Sequence, residues 1–277
     1  MSAATTLSIA GSDPSGGAGI QADLKAFSAR GVYGMAAVTA LTAQNTTGVS
    51  GVHVVPPEFV AAQIRAVLDD IRVDSIKIGM IANAGIAGAV AGALERFSGP
   101  VVLDPVMVAK GGHPLLPADA VAALRERLLP RAHVLTPNLP EAAALLEDDT
   151  ADNRAGMEAQ AQALLALGPK AVLLKGGHLE SRQSPDLLVT EHATIWIDGQ
   201  RVETRNTHGT GCTLSSALAA ELAKGQPIAN AVRTVKQWLT GAIAAADGLD
   251  IGHGHGPTHH FHALWPEAGD TKRAQRN

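Results

Sequence analysis

The run Asn206–Ala217, NTHGTGCTLSSA, concentrates residues that could act on a substrate. Gly209, Thr210, Gly211 and Cys212 stand where an alanine- and leucine-rich helix, LSSALAAELAKG, is expected to begin. Backbone N–H groups at a helix start lack intrahelical partners, and the dipole there carries roughly half a positive charge. Glycines let such a backbone approach an anion closely. The pattern predicts a hole for an oxyanion or a phosphoryl group in transit, with the Cys212 side chain beside it. An ordinary glycine turn capping a helix is the alternative.

Other residues offer complementary chemistry. Asp104 closes the apolar run Val101–Leu103, and a carboxylate at a strand end can hold Mg²⁺ directly or through water. In Thr136–Glu141, TPNLPE, an amide (Asn138) and a carboxylate (Glu141) lie three apart as a helix begins, so both can face one way. Capping of that helix by Asn138 is the competing reading. Lys175 leaves a further strand just before Gly176-Gly177, as a phosphate ligand or a solvated lysine. Together these groups can stabilise charge on a transferring phosphoryl.

Two glycine motifs fail on inspection. Gly17–Ala22 fits the dinucleotide fingerprint in form, but Thr39–Gln44 holds no acidic residue where the ribose partner belongs. Gly11 and Gly16 suit a phosphate loop, yet Gly17 and Ala18 replace its Lys and Ser/Thr. A flat ligand packed on the loop, or a tight strand–helix connection, remains. Gln44 lies in an expected turn, where its amide can pair with a heteroaromatic ring as donor and acceptor or bond within the loop. The histidine-rich run Gly252–His262 lacks cysteine and alternates with glycine, which predicts a shaped loop near the nucleotide rather than a transition-metal site.

These residues need a frame. Thr6–Ala10, Ser75–Ile78, Val101–Leu103, His133–Thr136 and Ala171–Lys175 read as buried strands. Pro57–Asp70, Ala118–Leu129, Gly156–Leu167 and Ile228–Ala246 have helical spacing. Alternation of the two predicts an α/β fold, a mostly parallel sheet with helices on both faces. Ile195–Thr204, IWIDGQRVET, reads as a hairpin about Asp198-Gly199 at an antiparallel edge. Ligands of such sheets sit beyond the carboxyl ends of the strands, where the glycine loop, Gly79-Met80, Asp104, Thr136–Glu141 and Lys175–His178 would meet.

Composition sets the bounds. The 277 residues contain 46% hydrophobic and 17% charged residues, with 22 basic against 26 acidic side chains and a net charge of −4. No basic block points to nucleic acid or to an anionic membrane. One cysteine excludes an internal disulfide framework and fits a reducing compartment. With neither a signal-peptide pattern nor a long apolar run, a cytoplasmic protein is expected. Residues 1–266 are read as one domain and 267–277 as a polar tail.

With these motifs assembled, the chain resembles the hydroxymethylpyrimidine/phosphomethylpyrimidine kinases of the thiamine pathway, members of the ribokinase-like superfamily. The resemblance rests on IAGSDPSGGAGIQADLK, TAQNT, KIGM, LDPVMVAKGG, LTPNLPEA, LKGGH, NTHGTGCTLSSA and GHGHGP, in order from about Leu7 to Phe261. It implies a three-layer sandwich and transfer of the ATP γ-phosphoryl to 4-amino-5-hydroxymethyl-2-methylpyrimidine, then to its monophosphate. Gln44 would read the aminopyrimidine edge while Gly11, Met80 and Val106 enclose the ring. Asp104 and Glu141 would organise Mg²⁺, and Lys175 would contact phosphate. Thr136, Asn138 and Gly177 would join Lys175 at the nucleotide, and Gly209–Cys212 would form the anion hole. Cys212 stands where sugar kinases of the superfamily carry an aspartate base, and the helix N-terminus is expected to lower its pKa toward thiolate at neutral pH. The resemblance also suggests a homodimer. Pyridoxal or pyridoxine salvage is the rival activity, and a non-catalytic pyrimidine- or nucleotide-binding regulator the rival class. His113 departs from the family's usual acidic residue in the loop after Asp104.

Overall fold

The computed structural model describes residues 3–108, 112 and 115–265. The expectations for His113 and for the 267–277 tail lie outside those residues. The chain runs β1 (Thr5–Ala10), α1 (Gly19–Ala29), β2 (Tyr33–Val38), β3 (Ala40–Asn45), β4 (Gly48–Val54), α2 (Pro57–Asp70), β5 (Ser75–Ile78), α3 (Ala84–Ala93) and β6 (Val101–Leu103). It continues through α4 (Ala118–Arg127), β7 (Val134–Leu135), α5 (Leu139–Leu146), α6 (Arg154–Leu165), β8 (Ala171–Lys175), β9 (Asp186–Thr190), β10 (Thr194–Ile197), α7 (Thr210–Ala223) and α8 (Ile228–Ala244).

Eight of the described strands form one sheet in the order β10-β9-β8-β7-β6-β5-β1-β2. The pairs from β2 to β8 are parallel; β8–β9 and β9–β10 are antiparallel. Side chains alternate between two cores, as the pleat requires. Leu103, Leu135, Val172 and Leu174 face α2–α6, while Val102, Val134, Ala171 and Leu173 face α1, α7 and α8. The result is a three-layer α/β sandwich, and every parallel strand points its carboxyl end toward one edge. β3 and β4 leave the main sheet as a separate antiparallel pair beside that edge.

The second face of β1 and β5 departs from the apolar rule. Ser8 and Lys77 project there, and both meet the buried Asp23 of α1. Ser216 of α7 donates to the same carboxylate at 2.6 Å. This polar knot fastens α1 and α7 to the sheet directly beneath the start of α7.

The expected hairpin within Ile195–Thr204 is replaced by a different one. β10 pairs with β9, Ile197 opposite Asp186 and Thr194 opposite Val189, so the turn is Glu191–Ala193. Beyond Ile197 the segment lacks alternating apolar residues. There Arg201 donates to the Ser181, Gly177 and Leu179 carbonyls instead of joining a strand. Asp198-Gly199 marks a strand exit. The antiparallel edge itself is where it was expected.

Candidate active site

The first turn of α7 is the floor of the site. The helix begins at Thr210, four residues before the expected Leu214, so Gly211 and Cys212 lie inside its opening turn. Gly209 caps it with φ +74°. A Cβ at Gly209 would lie 1.8 Å from the Gly17 carbonyl oxygen, so only glycine lets the two loops meet. Gly19, at φ +55°, similarly abuts the Gly11 carbonyl, which tightens the glycine loop after β1.

Lys175, Asp104 and Glu141 converge over this floor from three adjacent strand ends. Lys175 Nζ is 3.0 Å from Asp104 Oδ1 and 3.8 Å from Glu141 Oε2. A Cβ placed on Gly211 would lie 3.3 Å from Lys175 Nζ and 3.8 Å from Asp104 Oδ2, so the cation and the carboxylate face the α7 backbone. Ser215, one turn further on, donates to Asp104 Oδ2 at 3.1 Å. Burial pushes the Glu141 carboxyl up to about 7, with the Asp104 charge adding to it and Lys175 opposing it. Burial works against the Lys175 ammonium too, but Asp104 and Glu141 outweigh it and raise its pKa. Two carboxylates share one lysine.

A model of the phosphomethylpyrimidine kinase family matches residues 13–259. Over 266 residues the chain is 54% identical to the hydroxymethylpyrimidine/phosphomethylpyrimidine kinase of Escherichia coli K12, covering 96% of this chain and all of that one. The chain belongs to the hydroxymethylpyrimidine/phosphomethylpyrimidine kinase family. Among solved structures, it matches a Bacillus subtilis pyridoxal kinase in an ADP complex with TM-score 0.88 and 37% identity, over 96% of this chain and 100% of the other. It also matches a phosphomethylpyrimidine kinase of Clostridium difficile 630 with TM-score 0.77 and 42% identity, over 86% of this chain and 99% of that one. The sheet order and two helical layers are the ribokinase-like architecture of these phosphotransferases.

Within this family fold the remaining predicted residues fall in two groups. Gly11 and Met80 touch, since a Cβ on Gly11 would lie 3.0 Å from Met80 Sδ. Gln44 is the penultimate residue of β3, just before the hairpin turn, at a register shift after Ala43. Val106 is half-buried, two residues beyond Asp104. Asn138 and Glu141 form a complete capping box on α5: the Glu141 N–H donates to Asn138 Oδ1 and the Asn138 N–H to Glu141 Oε2, both at 2.8 Å. Capping and presentation of Glu141 are thus one structural device. Thr136 is fully buried, its Oγ1 3.4 Å from Asp104 Oδ1. Gly177 is exposed and its carbonyl accepts from Arg201.

The expected Cys212 thiolate is corrected by its surroundings. Burial pushes the thiol up to about 11, and although Lys77 pulls it down, Asp23 and Asp104 push it higher. The helix terminus acts within a site that already holds several carboxylates, and the neutral thiol is the form present at pH 7.

The histidine-rich loop packs on the β3–β4 tip. The N–H of His255 donates to the Thr46 carbonyl, and a Cβ on Gly254 would strike that oxygen at 2.0 Å. Sequence reasoning passed over Asp13, Asp23, Lys77, His208 and Ser215. All sit inside quoted motifs, yet a single charged residue inside a glycine loop or an apolar strand carries no local signal of its partner.

Proposed function

We propose that this chain transfers the γ-phosphoryl of ATP to the hydroxymethyl group of 4-amino-5-hydroxymethyl-2-methylpyrimidine, and then to the resulting monophosphate. The observation that carries the reading is Lys175 and Asp104 facing the glycine-lined first turn of α7, with Glu141 alongside. Loose phosphoryl transfer asks mainly for positioning and charge neutralisation, which these groups supply. In this reading Gln44 takes the aminopyrimidine edge and Gly11, Met80 and Val106 enclose the ring. Lys175 holds phosphate with Asn138, Thr136 and Gly177 on the nucleotide side. The N–H groups of Gly209–Cys212 donate to the oxyanion.

Asp104 and Glu141 fit Mg²⁺. They are hard oxygen donors, and Glu141 is held near neutral pH by burial beside a second carboxylate, so a divalent cation would relieve the charge there. When bound, Mg²⁺ would neutralise developing charge on the phosphate oxygens. The neutral Cys212 thiol positions the acceptor hydroxyl against the anion hole rather than serving as a resting thiolate.

We read residues 1–266 as one kinase domain and the protein as cytoplasmic; none of the described helices is long and apolar enough to cross a membrane. Exposed Leu41, Val52 and Val54 on the β3–β4 pair support a homodimer, which light scattering would test.

The deciding assay supplies Mg·ATP with either the pyrimidine alcohol or its monophosphate and follows products by mass. Pyrophosphate made from the monophosphate supports the reading. Turnover of the alcohol alone would shift it to a salvage kinase, with pyridoxal as the next substrate. Turnover of neither would refute it.

A further inference from the structure

Which end of the Gln44 amide faces which neighbour follows from a chain of contacts that begins at the buried Asp13. Asp13, in the glycine loop, is fully buried and its Oδ2 lies 2.7 Å from His208 Nε2. The same carboxylate accepts the N–H of Ser15, Gly17 and Ala18 and the Ser15 hydroxyl. Burial alone would raise the Asp13 carboxyl, but His208, Ser15 and the Ala18 N–H outweigh it and hold it at about 2. Asp13 is therefore an acceptor only, and Nε2 of His208 must carry the proton between them. The imidazole cannot turn away: its Cδ2 fills the place a Cβ on Gly17 would take, and the His208 N–H donates to the Gly256 carbonyl.

Gln44 meets this N–H. With its Nε2 placed 3.2 Å from His208 Nε2, two donors would confront each other. At the other end, its Oε1 is 3.4 Å from Thr42 Oγ1, whose only hydrogen already goes to the Ser12 carbonyl at 2.9 Å. Two oxygens would then face each other without a proton. Exchanging the amide ends, which leaves the outline of the side chain unchanged, resolves both conflicts. His208 then donates to Oε1 as well as to Asp13, and the amide NH₂ donates to Thr42 Oγ1. The register shift between Ala43 and Gln44 is the sort of bulge that aims a side chain.

We propose that His208, held by Asp13, fixes the polarity of the Gln44 amide, carbonyl toward His208 and NH₂ toward Thr42, and so selects the productive orientation of the substrate. An amide so oriented accepts on the His208 side and donates on the Thr42 side. The aminopyrimidine edge matches when its amino group lies toward His208 and its ring nitrogen toward Thr42. On the ring, the hydroxymethyl carbon neighbours the amino-bearing carbon on the side away from that nitrogen. The same order therefore carries the hydroxyl toward Gly209, the residue after His208, and the first turn of α7. The opposite polarity would send it toward Thr42, away from the phosphoryl. His208 acts here as a positioning residue for orientation and specificity.

The inference rests on the pyrimidine-kinase reading, and its test separates the two. The probe is the 4-oxo analogue of the pyrimidine alcohol, which offers an acceptor where the natural edge offers a donor. The wild-type enzyme is expected to favour the amino alcohol by on the order of 100-fold in kcat/KM, the size of an unsatisfied buried polar contact. His208→Leu, which frees the amide to turn, is expected to cut that preference at least about tenfold, whereas His208→Gln, which restores a donor, keeps most of it. A purely structural role would lower both substrates alike, and a full preference in His208→Leu would overturn the proposal. Independently of any variant, nitrogen-15 NMR of the wild-type imidazole at pH 7.5 should show a protonated Nε2; a bare Nε2 would also overturn it. If the wild type phosphorylates neither alcohol, the functional reading fails and the NMR result alone decides the amide polarity.

Discussion

Replacing Asp23 by asparagine should be among the most damaging single-atom changes available to this fold. Lys77 Nζ lies 2.9 and 3.0 Å from the two oxygens of Asp23, and neither side chain has any solvent exposure. Ser8 and Ser216 donate to the same carboxylate at 2.5 and 2.6 Å. Burial alone would lower the Lys77 pKa, but Asp23, then Cys212 and Asp104, outweigh it and raise it. Asp23→Asn keeps the volume and leaves that ammonium buried without its counter-charge, a loss of about 3–5 kcal/mol. For a chain of this size the melting temperature should fall by roughly 6–20 °C. A raised lysine pKa contributes its full stabilisation below the unfolded value, about 10.4, and loses it only as pH climbs through the folded value. The wild-type contribution should therefore be flat from pH 6 to 9, whereas the deficit of Asp23→Asn should shrink as pH rises, because burial without the counter-charge lowers the Lys77 pKa and lets its proton leave. Urea unfolding of the wild type, Asp23→Asn, Lys77→Met and the double replacement Asp23→Leu/Lys77→Met gives the measurement. The double variant should recover more than half of the single loss, because no orphaned charge remains. An asparagine variant within about 1 kcal/mol of wild type, or losses that simply add, would refute the reasoning.

Three further outcomes are expected. Gly209→Ala forces a Cβ against the Gly17 carbonyl at φ +74°, so the anion loop and the glycine loop must part; kcat/KM should drop at least about 100-fold, and a drop under threefold would contradict the close approach. Burial, with Lys25 and His259, lowers the His260 pKa to about 4, so the unfolded chain binds the extra proton first and stability declines as pH falls from about 6.5 to 4, by up to about 3 kcal/mol. His260→Gln should flatten that slope in unfolding curves taken across the same range. Cys212, pushed up to about 11, should alkylate at pH 7.5 roughly 100-fold more slowly than a free thiol and accelerate steadily past pH 9, and Cys212→Ser should retain more turnover than Cys212→Ala.

The parts of the fold legible in the sequence were those with strong periodicity. The bounds of α2, β5, β6 and β8 agree with the spacing, because β-branched runs and leucine stripes leave little choice of state. α3, AGIAGAVAGA, is not legible as a helix, since its small residues give almost no amphipathic contrast. α1, β2, β9 and the β3–β4 pair were missed as well; β4, GVSGVHV, lies mostly exposed and lacks a buried face to set a period. The converging strand-end groups were legible because parallel strands bring their carboxyl ends to one edge whatever the details. Asp13–His208, a pair 195 residues apart, was not, because nothing local to a residue states which distant loop it will meet.

No single local field sets the protonation of Cys212. A helix N-terminus does favour a thiolate, but its effect is worth only about 0.3–1 kcal/mol and fades within a turn. Asp23 and Asp104 balance Lys77 and Lys175 in the ligand-free site, Glu141, raised to about 7, adds part of a further negative charge, and ionising the thiol would add another. Removing water from the thiol raises the cost further. A divalent cation at Asp104 and Glu141 would reverse the sign of that balance, so the thiol's proton affinity is tied to occupation of the nucleotide site. On the proposed reading, the same carboxylates that keep Cys212 protonated at rest would also hold a metal-bound polyphosphate.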